Sequence, residues 1–253
     1  MIYDLQKASL WKRISAFLFD FILLGIVSVL CAWLLSLALG YDGCRADLDA
    51  RYAEIGSRYQ IDLQMSQEEF SALDEAGRAR MEAAYAALSA DEAAVRAYNL
   101  VMQLSILIVT FGVLTAYLIL EFAIPLKFKN GVTLGKKIFG LAVMRTDGVR
   151  LSAVSLFIRT VLGKFAIETM IPLILISMIV WGSIGIVGPA VLLGLLALEI
   201  GVMAGTRTHS LIHDLLAGTV AVDFASQMIF DTREDMIRYK EKIHAEQAAK
   251  QEY

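Results

Sequence analysis

Three carboxylates lie inside otherwise apolar stretches of this sequence. Asp20, Glu121 and Glu199 each stand among aliphatic and aromatic residues, in segments long enough to cross a membrane. A charge in such a segment costs roughly 2.5 to 3.5 kcal/mol on insertion scales and usually faces the protein interior or a water-filled cavity. Carboxylates held close together can bind a cation or exchange a proton, because proximity makes the two events competitive. These residue types therefore point to ion or proton transfer.

The three carboxylates fall at a similar depth, ~8 to 14 Å from one membrane face when counted at 1.5 Å per helical residue. Three further charged residues belong to the same region. Arg13 lies on the same helix face as Asp20, about 10 Å away. Asp214 is level with Arg13, so that an Arg13 to Asp214 bridge is geometrically easy. Arg159 could approach Asp20 from an adjoining helix.

This cluster has two interpretations. In the first, the carboxylates bind a cation or relay a proton. In the second, Arg13, Asp20, Arg159 and Asp214 form a buried ion network that fixes the order of the helices, since no hydrophobic drive assembles helices in lipid. The residues alone leave both interpretations open.

The composition sets the class of protein. Of 253 residues, 57% are hydrophobic and 19% charged, and the mean hydropathy is +0.60. A soluble domain carries about 25% charged residues, so the chain is predicted to be a membrane protein. The net charge of −3 gives no basic field for nucleic acid. No serine or cysteine has a convincing base partner, and the three histidines and two cysteines offer too few ligands for a metal cluster, so we expect neither an enzyme nor a cofactor.

Four apolar stretches are long enough to span the bilayer. The last two are separated by Gly182, Gly185 and Gly188-Pro189, which favour a turn. We predict an all-α membrane protein: a bundle of four transmembrane helices with an extracytoplasmic helical hairpin inserted at 41–97 and a small cytoplasmic β-hairpin. The predicted spans are 11–40, 98–126, 165–187 and 189–205.

The orientation follows from the distribution of lysine and arginine. The segment 127–150 holds six basic residues against one acid, and we therefore place it in the cytoplasm. The segment 41–97 holds twelve acids against six arginines, which suits the outer side. Both termini are then cytoplasmic, and the tail from Phe224 to Tyr253 is predicted to be a solvated or surface-lying helix.

Local signals predict smaller elements. Capping boxes at 66–69 and 89–92 start two outer helices. On the cytoplasmic side, a strand at 138–145, a tight Thr146-Asp147-Gly148 turn and a second strand from Val149 form the predicted hairpin. Ser152 is expected to cap an amphipathic helix that lies on the inner leaflet as far as Lys164. Lys136 and Lys137 are expected to bind anionic lipid headgroups.

Three blocks in order resemble the RDD family of bacterial multi-pass membrane proteins, named for one arginine and two aspartates. The first block runs from Ala8 through Arg13 to Asp20. The second is Gly131-Val-Thr-Leu-Gly-Lys-Lys-Ile-Phe-Gly140, followed by Arg159. The third, His213-Asp214-Leu-Leu-Ala-Gly218, holds the second aspartate.

The resemblance implies a bacterial inner-membrane protein that transports an undefined ligand, and sodium/proton antiport has been assigned to some members. Together with the acidic layer, it leads us to expect a transporter that exchanges a monovalent cation such as sodium for protons through Asp20. Glu121 and Glu199 are expected to support the exchange, and Arg13 and Asp214 to gate it or compensate its charge. Four helices make a small pathway, so we also expect a homo-oligomer, with membrane lipids as neighbours. The alternative is a non-transporting scaffold that binds a partner and whose arginines and aspartates only hold the helices.

Overall fold

A computed structural model describes residues 8–128 and 131–251 of the chain, with the side chains of 249–251 left out of the description. It is mostly helical. Among these residues, four helices are long and apolar enough to cross a membrane, as predicted, and we number them as the first to fourth membrane helices. They are Leu10–Leu39, Glu92–Phe128, Ala153–Val180 and Val187–Gly205.

The chain divides into two compact units. One comprises Met1–Ser28 and Leu114–Tyr253, and the other comprises Val29–Val113. The first and second membrane helices each pass from one unit into the other. The site residues predicted from the sequence all belong to the first unit.

The second unit contains the segment predicted as a helical hairpin. Its helices are α2 (Tyr41–Tyr59), α3 (Gln67–Ser71) and α4 (Glu75–Ala90), and α1 (Leu10–Leu39) precedes them. They bury a small apolar core with Ile55, Leu63, Met81, Ala84 and Ala94 at its centre.

One of the two predicted capping boxes is confirmed. The Ser66 hydroxyl accepts the Glu69 N–H, and the Glu69 carboxylate accepts the Ser66 N–H at 2.7 Å. The prediction for Ser89 is wrong. Ser89 lies inside α4 and donates to the Tyr85 carbonyl, because the helix continues past it. Asp91 instead accepts the N–H groups of the next helix.

The predicted β-hairpin is also wrong in its pairing. The first strand, β1 (Leu141–Arg145), pairs antiparallel with β2 (Thr219–Asp223), which is about 75 residues further along the chain. The tight turn after β1 is present, but the segment from Val149 makes only isolated bridges, with Met144 and with Phe230. Four of five residues in each strand are buried, so β1 needs an apolar partner, and Thr219-Val-Ala-Val-Asp223 supplies one.

The amphipathic segment is not a separate helix. Ser152 caps α8 (Ala153–Phe157) as predicted, with its hydroxyl accepting the Ser155 N–H at 3.1 Å. The helix then continues through Ile158–Met170 into α9 (Ile171–Val180). The segment 152–164 is therefore the start of the third membrane helix. No proline interrupts it before the first turn of α9, and its one glycine, Gly163, is buried within the helix.

Two segments of the membrane helices are π-helical. They are Leu118–Ala123, which follows α5 (Glu92–Tyr117) and precedes α6 (Ile124–Phe128), and Ile158–Met170 in the third membrane helix. Such segments are rare and are often found at functional sites. Both carry charged residues that reappear below.

The remaining elements complete the first unit. A short helix, α7 (Leu134–Ile138), precedes β1, and α10 (Val187–Gly205) is the fourth membrane helix. The turn before α10 lies where the glycines predicted it, with Gly182 and Gly185 in the left-handed region at φ 67° and 50°. After α10 come α11 (Ile212–Ala217) and, following β2, the C-terminal helix α12 (Arg233–Gln251). Met236 anchors α12 and is buried.

Candidate functional site

A cavity of about 320 Å³ lies in the first unit, and all four membrane helices contribute to its wall. Its lining is charged to an extent that is unusual beside apolar helices. Four basic side chains, four acidic side chains and two histidines line it: Arg13, Lys136, Arg159, Lys164, Asp20, Glu121, Glu168, Asp214, His209 and His213.

Glu121 is buried in the wall of this cavity and faces two ammonium groups. The Lys164 Nζ lies 2.7 Å from one carboxylate oxygen, and the Lys136 Nζ lies 4.0 Å from the other. All three side chains are at most 15% exposed. A close ion pair compensates the desolvation of Glu121, and a second cation shares the same carboxylate.

Lys136 lies in α7, a helix of five residues whose N-terminus is capped by the Thr133 hydroxyl. Burial, helped by the nearby Lys164 ammonium and opposed by the Glu121 carboxylate, lowers the pKa of Lys136 to about 8. This placement differs from the lipid contact expected of Lys136, because its ammonium is turned into the protein. The adjacent Lys137 is exposed and lies 3.9 Å from the centre of the Phe128 ring, and its predicted contact with lipid headgroups stays a prediction.

Asp20 binds the start of α7. One of its oxygens accepts the Gly135 N–H at 2.8 Å, and the other accepts the Thr133 hydroxyl. The approach requires a glycine, since a Cβ at Gly135 would lie 2.5 Å from the Ala16 carbonyl oxygen. Asp20 thus joins the first membrane helix to α7, the short helix that carries Lys136.

Arg13 donates to backbone carbonyls. Its guanidinium contacts the carbonyl oxygens of Thr208 at 3.2 Å, His209 at 2.7 Å and Ala221 at 2.7 Å. The direct Arg13 to Asp214 bridge expected from their depth is not formed, because these carbonyls take the guanidinium N–H groups. Arg13 therefore ties the first membrane helix to the segment after α10 and to β2.

Asp214 pairs with Arg159 instead. The Arg159 Nη2 lies 3.0 Å from a carboxylate oxygen of Asp214, to which the Thr219 hydroxyl also donates at 2.9 Å. Burial would raise the pKa of Asp214, but Arg159, His213 and Thr219 outweigh it and lower the pKa to about 2. The expected approach of Arg159 to Asp20 is replaced by this pair, because α11 packs against the third membrane helix.

His213 connects this pair to a carboxylate that the sequence analysis missed. Both oxygens of Glu168 lie 2.8 Å from the His213 Nδ1, and one accepts the His213 backbone N–H at 2.9 Å. The Nε2 faces the Arg159 Nη2 at 3.0 Å. Burial and Arg159 lower the pKa of His213, although Asp214 and Glu168 act in the opposite direction. A neutral ring with Nδ1 protonated fits both neighbours.

Lys164 and Glu168 had a signal in the sequence. They are ionisable residues four apart in an apolar segment, and Glu168 even falls inside the predicted third span. Because 152–164 was predicted to lie on the membrane surface, the prediction did not include the burial of Lys164.

Glu199 does not line the cavity. It lies on α10, and its Oε2 is buried without a hydrogen-bond donor. The Glu168 carboxyl group lies within hydrogen-bonding range of the Glu199 carboxyl group. Of the three carboxylates expected at one depth, Asp20 and Glu121 thus share the cavity, and Glu199 adjoins it through Glu168.

The π-helical segment explains why the charges of the third membrane helix share a face. In an α-helix each residue turns by about 100°, which would put Glu168 on the side opposite to Arg159. With i to i+5 hydrogen bonds the turn falls to roughly 80° per residue, and Arg159, Lys164 and Glu168 then lie within about 40° of one another. All three line the cavity.

The described residues contain no group of three or more histidine, cysteine, aspartate or glutamate side chains arranged as metal ligands. A comparison with family models matches residues 7–218 to the model described as the RDD family. The match contains every charged residue that lines the cavity and ends just before β2. Comparisons with curated proteins and with solved structures found no match.

Proposed function

This chain belongs to the RDD family of membrane proteins, and from its charged cavity we propose that it exchanges a small monovalent cation for protons. The observation that carries the proposal is the placement of one buried carboxylate, Glu121, against two lysines of which one, Lys136, has a pKa near 8. Lys136 therefore gains and loses a proton close to physiological pH.

The charges give the exchange a one-to-one balance. Asp20, Glu121, Lys136 and Lys164 sum to zero when both lysines are protonated. Loss of a proton from Lys136 leaves one negative charge in a buried place, which is costly unless a cation replaces it. Lys164 keeps its pairing with Glu121 meanwhile, so the site holds together during the exchange. A monovalent cation therefore competes with the Lys136 proton.

The sign of the pH dependence follows. Below pH 8 Lys136 is protonated and opposes the cation, and above pH 8 it is neutral and admits it. In everted membrane vesicles, we expect the cation-induced change of internal pH to rise as the pH increases through about 8. Lys136→Met, always neutral, and Lys136→Arg, always charged, should both lose at least ~90% of the exchange, as expected when a proton-transferring group is removed.

Lys137→Met is the matched control, since it removes the neighbouring lysine, which is exposed and lies outside the cavity. Its vesicles should exchange like the wild type. Wild-type vesicles that show no pH response to lithium, sodium or potassium would contradict the proposal.

A second candidate function is a membrane scaffold, which is favoured by the contacts of Arg13 and Asp20. Both residues bind backbone or hydroxyl groups and so hold elements together. Absence of exchange in the wild type, together with a lowered melting temperature of Asp20→Asn, would favour the scaffold over the transporter.

We further propose that the basic segment 127–150 faces the cytoplasm and the acidic segment 41–97 the outside, as their charges indicate. The two cysteines allow a test, because Cys44 is partly exposed and Cys31 is buried. A membrane-impermeant maleimide should label Cys44 in intact cells, and Cys44→Ala should abolish the label. Labelling that needs broken cells would reverse the orientation.

A further inference from the structure

We propose that Glu199 and Glu168 share a proton and pass it from the fourth membrane helix to the charged cavity. The inference rests on the proposed exchange for its purpose, but its first part, the shared proton, is independent of transport. Nothing in the family match assigns a role to either residue.

The carboxyl groups face each other with few donors between them. Glu199 has a buried oxygen, Oε2, without a hydrogen-bond donor, and its carboxyl group lies within hydrogen-bonding range of the Glu168 carboxyl. The backbone N–H of Ile212 faces the Glu199 carboxyl from α11, and Asp214 adds another negative charge nearby. Two carboxylates in contact repel, whereas a carboxylic acid donates to a carboxylate. A single proton held between them supplies the missing donor.

Glu168 is held in place for this role by groups on its other side. His213 offers it both the Nδ1 and the backbone N–H, and Lys164 acts on it from the same helix. Arg159 and Asp214 surround the remaining edge of the imidazole. His213 is thus a positioning residue, and Glu168 stays oriented whichever carboxyl carries the proton.

Only one of the two carboxyl groups borders the cavity. Glu168 lines the cavity, and Glu199 does not. Glu199 is half-buried on α10. In the transfer, the O–H bond of Glu199 breaks, its electron pair stays on the Glu199 carboxylate, and a new O–H bond forms on Glu168. No oxidation or reduction takes place. The proton can then leave Glu168 into the cavity, where Lys136 also lies.

Infrared spectroscopy of the purified full-length protein tests the shared proton. We expect the carbonyl stretching band of a protonated carboxylic acid at neutral pH, with a shift in D₂O. Glu199→Gln and Glu168→Gln should each remove that band. Glu92→Gln, which changes an exposed acid at the start of the second membrane helix, should leave it. A band that persists in Glu199→Gln would overturn the proposal.

Vesicle measurements test the route. Glu199→Gln should slow cation-dependent proton movement about a hundredfold, the lower end of the contribution of a proton-transfer group. An unchanged rate in Glu199→Gln, with active wild type, would overturn the route while leaving the exchange intact. If wild-type vesicles are inactive, the proposed exchange fails, and the infrared band alone decides whether the shared proton exists.

Discussion

Arg159→Met will destabilise the protein by about 3 to 5 kcal/mol, the usual loss when one partner of a buried ion pair is removed. The Arg159 and Asp214 side chains are 5% and 6% exposed, so water cannot solvate the carboxylate that is left behind. His213 loses the donor to its Nε2 in the same variant. For a chain of this size the expected fall in melting temperature in detergent is roughly 10 °C.

Two controls separate the pair from a general effect of removing arginine. Arg145→Met removes one partner of an exposed ion pair with Asp147 and should change stability by less than about 1 kcal/mol. Adding Asp214→Asn to Arg159→Met should recover part of the loss, because the remaining group is then neutral and still accepts from Thr219. A melting temperature equal to that of the wild type in Arg159→Met would refute the role of the pair.

Gly163→Ala is expected to disrupt the packing of α11 on the third membrane helix. A Cβ at residue 163 would lie 2.5 Å from the His213 Cβ and 2.7 Å from its Cα, so the backbone of α11 has to move. Overpacking of this kind costs about 1 to 3 kcal/mol. The displacement also carries His213 away from Glu168, so exchange in vesicles should fall together with the melting temperature.

Gly194→Ala provides the matched substitution in a membrane helix. Nothing lies within 4 Å of a Cβ placed there, and alanine favours helix over glycine by up to about 1 kcal/mol. Its melting temperature should equal or exceed that of the wild type. Equal melting temperatures for Gly163→Ala and Gly194→Ala would show that the close approach of α11 is not required.

Local signals predicted local structure well. Apolar length predicted four membrane helices, and Ser66 and Ser152 begin helices as their types suggest. The same reasoning failed where a nearby alternative existed. Asp91, which lies two residues after Ser89, ends the preceding helix and caps the next one in place of Ser89.

Local sequence signals did not predict which segments far apart in the chain contact each other. The β1 strand has an apolar pattern and a turn beside it, which predicted a hairpin, yet its partner is β2 near the end of the family match. Contacts of this range depend on how the helices between the strands fold. Arg13 shows the same limit, since its depth suggested Asp214 and its guanidinium binds carbonyls.

Composition and residue order were enough to predict that the chain belongs in a membrane and that the blocks carrying Arg13, Asp20 and Asp214 are those of the RDD family. The tertiary structure alone decided which charges meet. The π-helical segment brings Arg159, Lys164 and Glu168 to one face, and α-helical spacing would have separated them. Ion pairing depends on distances of a few ångströms between segments far apart in the chain, and residue spacing does not determine such distances.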